Sequence, residues 1–284
     1  MNKIVEKQLL AQNIYLIKVE CPRIASSALP GQFLIVINDD HGERIPLTIS
    51  DYDKEAGTVT MVIQQIGDST KKMCARNVGE CFHNVLGPLG VPSEFVKLSD
   101  EKLRGRKFLL IAGGVGAAPV YPQAKFLHSK GAIVDVIVGA KTKDMVIYED
   151  FMKDACTNLY ICTDDGSYGF NGLVTKKIEA LIAEGKSYDD AVAIGPMIMM
   201  KFVMLTMKPT GISLTVSLNS LMVDATGMCG ACRVTVAGKT RFACVEGPEF
   251  NAYEVDFDEA MRRQGMYNAD KVKEHNHKCR LGRN

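Results

Sequence analysis

The stretch KFLLIAGGVGAAPVYP (107–122) decides the fold of this chain. It opens with a short apolar strand, continues through a glycine-rich turn, and leads into a helical pattern over residues 117–129. A strand–turn–helix unit of this kind places a phosphate at the helix N-terminus, where backbone N–H groups are free. Pro119 stands where the usual fingerprint has its third glycine, and a lone glycine turn is also common as a plain tight connection. The candidate nucleotide-binding residues are Gly113, Gly114, Val115, Gly116, Ala117 and Pro119.

Strands and helices alternate in the residues that follow this turn. AIVDVIVGA (132–140), LYICTDD (159–165) and AVAI (191–194) are apolar strands, and helical patterns lie between them. This alternation predicts a parallel, doubly wound α/β sheet. Ligands of such sheets bind beyond the carboxyl ends of the strands. The strand ends that we expect to line one cleft contribute Gly139, Asp164, Asp165, Gly166, Gly195, Pro196 and Met197.

Residues 1–100, upstream of the sheet, carry a different pattern. Polar and apolar positions alternate between turns, as in GQFLIVIN (31–38) and GTVTMVIQQI (57–66), which predicts an antiparallel β-barrel. The motif RIPLTIS (44–50) contains the cation Arg44, and IGDSTKKM (66–73) contains a helix start. Both features suit the binding of a pyrophosphate. Taken alone, the first motif is also explained by an ordinary surface arginine, and the second by an ordinary helix cap.

A cysteine segment, VDATGMCGACRVTVAGKTRFAC (223–244), follows the sheet region. Asp224, Cys229, Cys232 and Cys244 have the spacing D-x4-C-x2-C-x11-C. Thiolates are the usual ligands of iron–sulfur clusters, and four ligands complete a [2Fe–2S] centre. A zinc site and a set of buried thiols remain alternatives, and Asp224 is also a common turn residue.

The composition narrows the class of protein. The 284 residues are 46% hydrophobic and 24% charged, with a net charge of +1. This near-neutral charge does not indicate binding to nucleic acid or to an anionic membrane surface. The N-terminus lacks the apolar region of a secretory signal, and six of the nine cysteines are scattered, so we expect a cytoplasmic location. His275, His277 and Cys279 in the charged tail are expected to be solvated.

The order of barrel, nucleotide domain and cysteine segment resembles the ferredoxin–NADP reductase superfamily. RIPLT, GDST, GPLG (87–90) and GGVGAAP are similar to its flavin and nicotinamide motifs. TDDGSYGFNGLVT (163–175), IGPMIMMKFV (194–203) and VDFDEAMRRQ (255–264) resemble the small subunits of NADH-dependent reduced ferredoxin:NADP oxidoreductases, which bifurcate electrons. Dihydroorotate dehydrogenase electron-transfer subunits have cysteine where this chain has Asp224, which favours the bifurcating group.

The resemblance implies a flavin- and iron–sulfur-containing oxidoreductase subunit without a catalytic side chain of its own. It implies NAD(H) on the parallel sheet, a [2Fe–2S] cluster on Asp224, Cys229, Cys232 and Cys244, and FAD in the barrel. The implied FAD residues are Arg44, Pro46, Leu47, Thr48, Gln64, Gly67, Ser69 and Thr70.

The implied partner is a large subunit with a bifurcating flavin and [4Fe–4S] clusters, linked indirectly to ferredoxin and NADP(H). The expected division of the chain is an FAD barrel at 1–100, an NAD domain at 101–215, a cluster domain at 216–250 and a helical tail at 251–284. An electron-transfer subunit of dihydroorotate dehydrogenase and a zinc-stabilised module without redox chemistry remain alternatives.

Overall fold

The computed structural model of the chain describes residues 2–266. The expected solvated tail residues His275, His277 and Cys279, and the end of the expected helical tail, lie outside the described residues. Across residues 2–266, no helix combines the length and the apolar character needed to cross a membrane.

The N-terminal part is an antiparallel sheet that curls into a barrel. Its strands, in the spatial order β1-β2-β5-β4-β3-β6, are β1 Ile4–Ala11, β2 Ile14–Glu20, β3 Phe33–Ile37, β4 Arg44–Asp53, β5 Thr58–Gln64 and β6 Asn84–Leu89. The amide of Ile4 donates to the carbonyl of Glu80 at 2.8 Å, so β1 meets the segment that precedes β6 and the sheet closes. Alternate side chains of these strands fill the interior, as the period-two pattern predicts. Helices α1 Pro22–Ser27 and α2 Asp68–Ala75 cover its ends.

The second part is a seven-stranded sheet in the order β10-β9-β8-β7-β11-β12-β15. Its strands are β7 Lys107–Gly113, β8 Ile133–Ala140, β9 Asn158–Thr163, β10 Phe170–Asn171, β11 Asp190–Ile194, β12 Ser213–Ser217 and β15 Glu249–Asn251. All pairs are parallel except β12–β15, which is antiparallel. The strand order reverses between β7 and β11, and this switch point is where open α/β sheets bind ligands.

Helices cover both faces of this sheet and bury two separate cores. They are α3 Asp100–Leu103, α4 Ala117–Ser129, α5 Glu149–Ala155, α6 Val174–Ala183, α7 Met197–Met207 and α9 Phe257–Gln264. The apolar runs of the central strands are buried on both sides, as expected for parallel strands between two helical layers. The prediction of an antiparallel barrel followed by a parallel α/β domain is confirmed.

The cysteine segment contains little regular structure. It holds the hairpin of β13 Arg233–Val236 and β14 Lys239–Phe242, followed by the short helix α8 Ala243–Glu246. Cys232 and Cys244 share a small core with Phe33 and Ile35 on strand β3 of the barrel. The segment is therefore held against the barrel by buried apolar contacts.

Candidate functional site

A cleft of about 1140 Å³ opens between the barrel and the carboxyl ends of the parallel strands. The barrel contributes Phe33, Pro46, Leu47, Thr48 and Gln64 to its wall. The sheet contributes its glycine turn and the ends of β8, β9 and β11. This volume lies slightly above the range of about 300–1,000 Å³ that is typical of ligand pockets, so the cleft is large enough for an extended ligand.

The glycine turn after β7 forms the floor of the cleft. A Cβ atom on Gly116 would lie 2.2 Å from the carbonyl oxygen of Ile194, and one on Gly113 would lie 2.2 Å from Sδ of Met199. A Cβ on Gly116 would meet the backbone of β11, so glycine there lets the turn and the end of β11 approach this closely, whereas Gly113 contacts the flexible side chain of Met199 on α7. Because α4 begins at Ala117, directly after the turn, the positive end of its dipole lies beside the cleft and suits an anionic group, although the amide of Ala117 already donates to the carbonyls of Gly114 and Val115.

Most of the sequence-predicted sheet residues line the cleft. These are Gly113, Gly114, Val115, Gly116, Pro119, Gly139, Asp164, Gly195, Pro196 and Met197. Ala117 is instead buried. Asp165 accepts hydrogen bonds from the amide and hydroxyl of Ser167, at 3.0 and 2.7 Å, and these bonds lower the pKa of the Asp165 carboxyl. The residue that follows, Gly166, has a φ of +72° and packs on Asn171 outside the cleft.

The barrel residues divide into two groups. Pro46, Leu47, Thr48 and Gln64 line the cleft, whereas Arg44 and the start of α2 do not.

The start of α2 is occupied by its own contacts. The hydroxyl of Thr70 accepts hydrogen bonds from the amides of Ile66 and Gly67 at 3.0 and 3.1 Å, which caps the helix. The hydroxyl of Ser69 donates to the carboxylate of Glu43.

Arg44 connects the barrel to the cysteine segment. Its Nε donates to the backbone oxygen of Asp224 at 3.2 Å and lies 3.9 Å from Oδ1 of the same residue. The other carboxylate oxygen of Asp224 accepts a hydrogen bond from the hydroxyl of Thr226. In this structure Arg44 therefore fixes the start of the cysteine loop.

The loop between Asp224 and Cys232 folds back on itself. Ala225, Gly227 and Gly230 have φ values of +63°, +83° and +67°, and each reverses the local chain direction. Glycine adopts such angles without strain.

The three cysteines of the segment have different environments. Cys232 and Cys244 are buried and Cys229 is exposed. Burial, followed by the neighbouring Cys232 thiol, raises the pKa of the Cys244 thiol to about 12.

The donor set of this segment fits an iron–sulfur cluster in its chemistry, because it gathers three cysteines in one glycine-containing loop. Over residues 2–266, no three Cys, His, Asp or Glu side chains converge in the geometry of a bound metal. The assignment of Asp224, Cys229, Cys232 and Cys244 as ligands therefore stays a prediction.

Several cleft residues were not found by sequence reasoning. Phe33 lies in the middle of a barrel strand, Ile198 and Phe202 lie on α7, and Gln264 lies on α9. Their sequence pattern is that of ordinary strand and helix positions. Only the meeting of barrel and sheet, which no local signal encodes, brings them to the cleft.

The antiparallel barrel, the doubly wound sheet and the cleft at its switch point define a ferredoxin–NADP reductase-like protein. Phthalate dioxygenase reductase has this fold with a TM-score of 0.56 at 16% identity, covering 82% of this chain and 85% of its own. A solved structure of NADH-dependent reduced ferredoxin–NADP oxidoreductase superimposes with a TM-score of 0.88 at 39% identity, covering 98% of this chain and 97% of its own.

Sequence relatives identify the family within this class. Residues 219–256 match the model of the iron–sulfur cluster binding domain of dihydroorotate dehydrogenase B. The dihydroorotate dehydrogenase B (NAD(+)) electron transfer subunit homolog of Thermotoga maritima is 42% identical, over 94% of this chain and 92% of its own. The electron transfer subunit of Fusobacterium nucleatum is 32% identical, over 88% and 95%. An uncharacterized Clostridium beijerinckii protein is 55% identical, over 96% and 93%.

The chain therefore belongs to the family of dihydroorotate dehydrogenase B electron transfer subunits, and it is an oxidoreductase-type electron-transfer subunit. The resemblance drawn from its motifs is confirmed.

Proposed function

We propose that the chain passes electrons between NAD(H) and a bifurcating partner subunit, using FAD and a [2Fe–2S] cluster of its own. When bound, FAD supplies the exchange between hydride transfer with a nicotinamide and single-electron transfer with a cluster. The chain's own residues bind and orient these groups and keep water away from them. In this proposal residues 1–100 bind FAD, 101–215 bind NAD(H), 216–250 bind the cluster and 251–284 form a tail.

The barrel wall of the cleft suits a flat, partly polar ring system. Pro46 and Leu47 supply apolar surface, while Thr48 and Gln64 supply a hydroxyl and an amide for hydrogen bonds. The glycine turn opposite suits the pyrophosphate of a dinucleotide, because it lets a ligand approach the backbone closely beside the positive end of the α4 dipole. Two ligands on opposite walls of one cleft can meet face to face.

The observation that carries the proposal is the position of Phe33. This side chain lines the cleft and is also packed in the core that contains Cys232 and Cys244. Phe33 therefore belongs both to the wall of the proposed flavin site and to the packing around two of the proposed cluster ligands. A short separation is what electron transfer between two centres in one chain requires.

The outer side of the cysteine segment supports a protein partner. Met228 is 88% exposed, Val223 is 54% exposed and Val245 is 44% exposed, beside the exposed Cys229. Exposed apolar side chains that lie together on a surface are typical of a protein interface. We infer that the partner subunit, which carries a bifurcating flavin and [4Fe–4S] clusters, covers this segment and exchanges electrons there, with ferredoxin and NADP(H) reached through that partner.

The test is anaerobic purification of the full chain by itself, followed by flavin and iron analysis, because a bifurcating partner would bring flavin and iron of its own. We expect FAD and two iron atoms per chain, with iron lost in Cys232→Ser and kept in Cys156→Ser, a buried cysteine outside the segment. A colourless protein without iron would falsify the proposal.

A second candidate is the electron-transfer subunit of dihydroorotate dehydrogenase. The match of residues 219–256 to that enzyme's cluster-binding domain favours it. Co-purification with a dihydroorotate-oxidising subunit would select this function, whereas a partner that reduces ferredoxin with NADPH would select bifurcation.

A further inference from the structure

A carboxyl group, Glu249, lies at the junction of three parts of the chain, and neither the nucleotide site nor the cluster site uses it. Glu249 begins strand β15, five residues after Cys244, and pairs with Ser217 at the end of β12. Its Oε1 accepts a hydrogen bond from the hydroxyl of Ser93 at 2.9 Å and one from Nε2 of Gln123 at 2.7 Å. Ser93 follows the barrel and Gln123 lies on α4 of the parallel domain.

The side chains that donate hydrogen bonds to this carboxyl are uncharged and closely packed. Ser93 and Gln123 are both fully buried. A Cβ atom on Gly31 would lie 2.8 Å from Oε1 of Glu249, so the barrel backbone itself closes over the carboxylate. The charged residue that acts on Glu249 is Glu94, and its charge has the same sign. Burial, opposed in part by the bonds from Ser93 and Gln123, raises the pKa of Glu249 to about 7.

The junction can also accommodate the protonated form. The Oε1 of Gln123 is buried and has no hydrogen-bond partner among residues 2–266. Rotating the amide of Gln123 by half a turn exchanges its donor and acceptor, which turns that oxygen toward Glu249. A neutral Glu249 would then donate its O–H to an oxygen that otherwise has no partner. The site thus offers a hydrogen-bonded arrangement for each protonation state.

The carboxyl also adjoins the cleft. Ser217 and Pro248, its strand partner and its neighbour in the chain, both line the cleft wall. Hydride or electrons that enter a bound flavin add negative charge there, and negative charge near a buried carboxylate favours the uptake of a proton. Glu249 keeps part of its surface exposed, so protons can reach it from solvent.

We propose that Glu249 binds a proton from solvent when the flavin in the adjoining cleft is reduced and releases it when the flavin is reoxidised. The carboxylate oxygen supplies the electron pair of the new O–H bond, and no electrons are gained or lost by the residue. Glu249 is a positioning and charge-compensating residue and does not touch the reacting atoms. The proposal rests on the proposed function, because it needs FAD in the cleft.

The test is the midpoint potential of bound FAD as a function of pH, from pH 5 to 9, measured by spectroelectrochemistry on the FAD-loaded full chain. Glu249→Gln keeps the size of the side chain and an oxygen that accepts both hydrogen bonds, but it cannot ionise. We expect an inflection near pH 7 in the unmodified chain and its loss in Glu249→Gln. The matched control Glu94→Gln removes an exposed carboxyl next to Ser93; it should keep the inflection and move it to lower pH, because the charge of Glu94 raises the pKa of Glu249.

A second variant keeps Glu249 but shifts the pH at which its carboxyl titrates. Ser93→Ala removes a hydrogen bond that stabilises the ionised form, so the inflection should shift to higher pH. FAD content and melting temperature, measured on each variant, report whether the fold is kept. If FAD is bound but its midpoint potential shows the same inflection in every variant, or no inflection in the unmodified chain, this proposal is overturned and the proposed function is not. A chain that binds no FAD overturns the proposed function, and the proposal with it.

Discussion

The substitution Gly116→Ala tests whether the close approach of the ends of β7 and β11 sets the geometry of the nucleotide cleft. Gly116 has φ −58° and ψ −14°, angles that alanine adopts without strain, so the substitution acts through packing alone. The new Cβ would lie 2.2 Å from the carbonyl oxygen of Ile194 and 2.8 Å from its carbon. An ordinary contact needs roughly 1 Å more, so the end of β11 and Gly195 must move away from the turn.

The size of the effect follows from this displacement. Overpacking of a tight site costs about 1–3 kcal/mol, which corresponds to a melting temperature lower by about 2–10 °C in a chain of this size. A wall of the cleft moved by about 1 Å lowers the rate of flavin reduction by NADH by up to about 100-fold. Melting temperature by circular dichroism and anaerobic stopped-flow reduction of the FAD-loaded chain measure the two effects.

Gly67→Ala is the matched control for this substitution. Gly67 has a φ of −118°, and a Cβ atom there would have no neighbour within 4 Å in the part of the chain that the structure describes. We expect its melting temperature to fall by no more than about 3 °C, since the new Cβ meets no neighbour and alanine in place of glycine at the helix N-cap costs at most about 1 kcal/mol. An unchanged melting temperature and an unchanged rate in Gly116→Ala would refute the view that glycine at this turn sets the geometry of the cleft.

Three further predictions concern stability and iron binding. The pKa of Glu249 is raised from 4.5 to about 7, so the folded chain loses stability as pH rises through that window. The Glu249→Gln variant should therefore be more stable than the unmodified chain at pH 8, by at most about 3 kcal/mol, but not at pH 4. Equal urea midpoints of the two proteins at pH 8 would contradict this. Tyr188→Phe removes a 2.8 Å hydrogen bond to buried Asp135 and should cost about 1.5–3 kcal/mol in urea unfolding, whereas a loss below about 0.5 kcal/mol would count against it. Cys244→Ser should lose iron by colorimetric assay and Cys156→Ser should keep it; equal iron contents would remove the cysteine segment as the metal site.

Local signals were sufficient to predict the fold and much of the cleft. The glycine turn at 113–116 could be predicted because only a short stretch of sequence separates a strand pattern from a helix pattern there. The structure has that turn between β7 and α4. The barrel followed from period-two alternation, because one face of each strand is buried. Gly139, Asp164 and Gly195 could be predicted to share the cleft because the carboxyl ends of parallel strands meet at one edge of the sheet.

Contacts between distant parts of the chain could not be predicted. Arg44 and Asp224 are 180 residues apart, and no periodicity links a barrel strand to a loop beyond the parallel sheet. Phe33 has the pattern of a core residue, and its position between the cleft and the cysteines depends on how the segment packs. Glu249 has the sequence of an exposed strand end, yet tertiary packing buries its carboxyl against Ser93 and Gln123.

The most direct measurement of the central claim is an anaerobic NADH titration of the purified chain, followed by absorbance and electron paramagnetic resonance. Electron transfer from NADH through a flavin to a cluster predicts bleaching of the flavin band and the appearance of a reduced [2Fe–2S] signal in the same sample. The signal should be absent in Cys232→Ser, while the flavin still bleaches, because the cleft does not include Cys232. A flavin that bleaches without any cluster signal in the unmodified chain, or no response to NADH, would contradict the account.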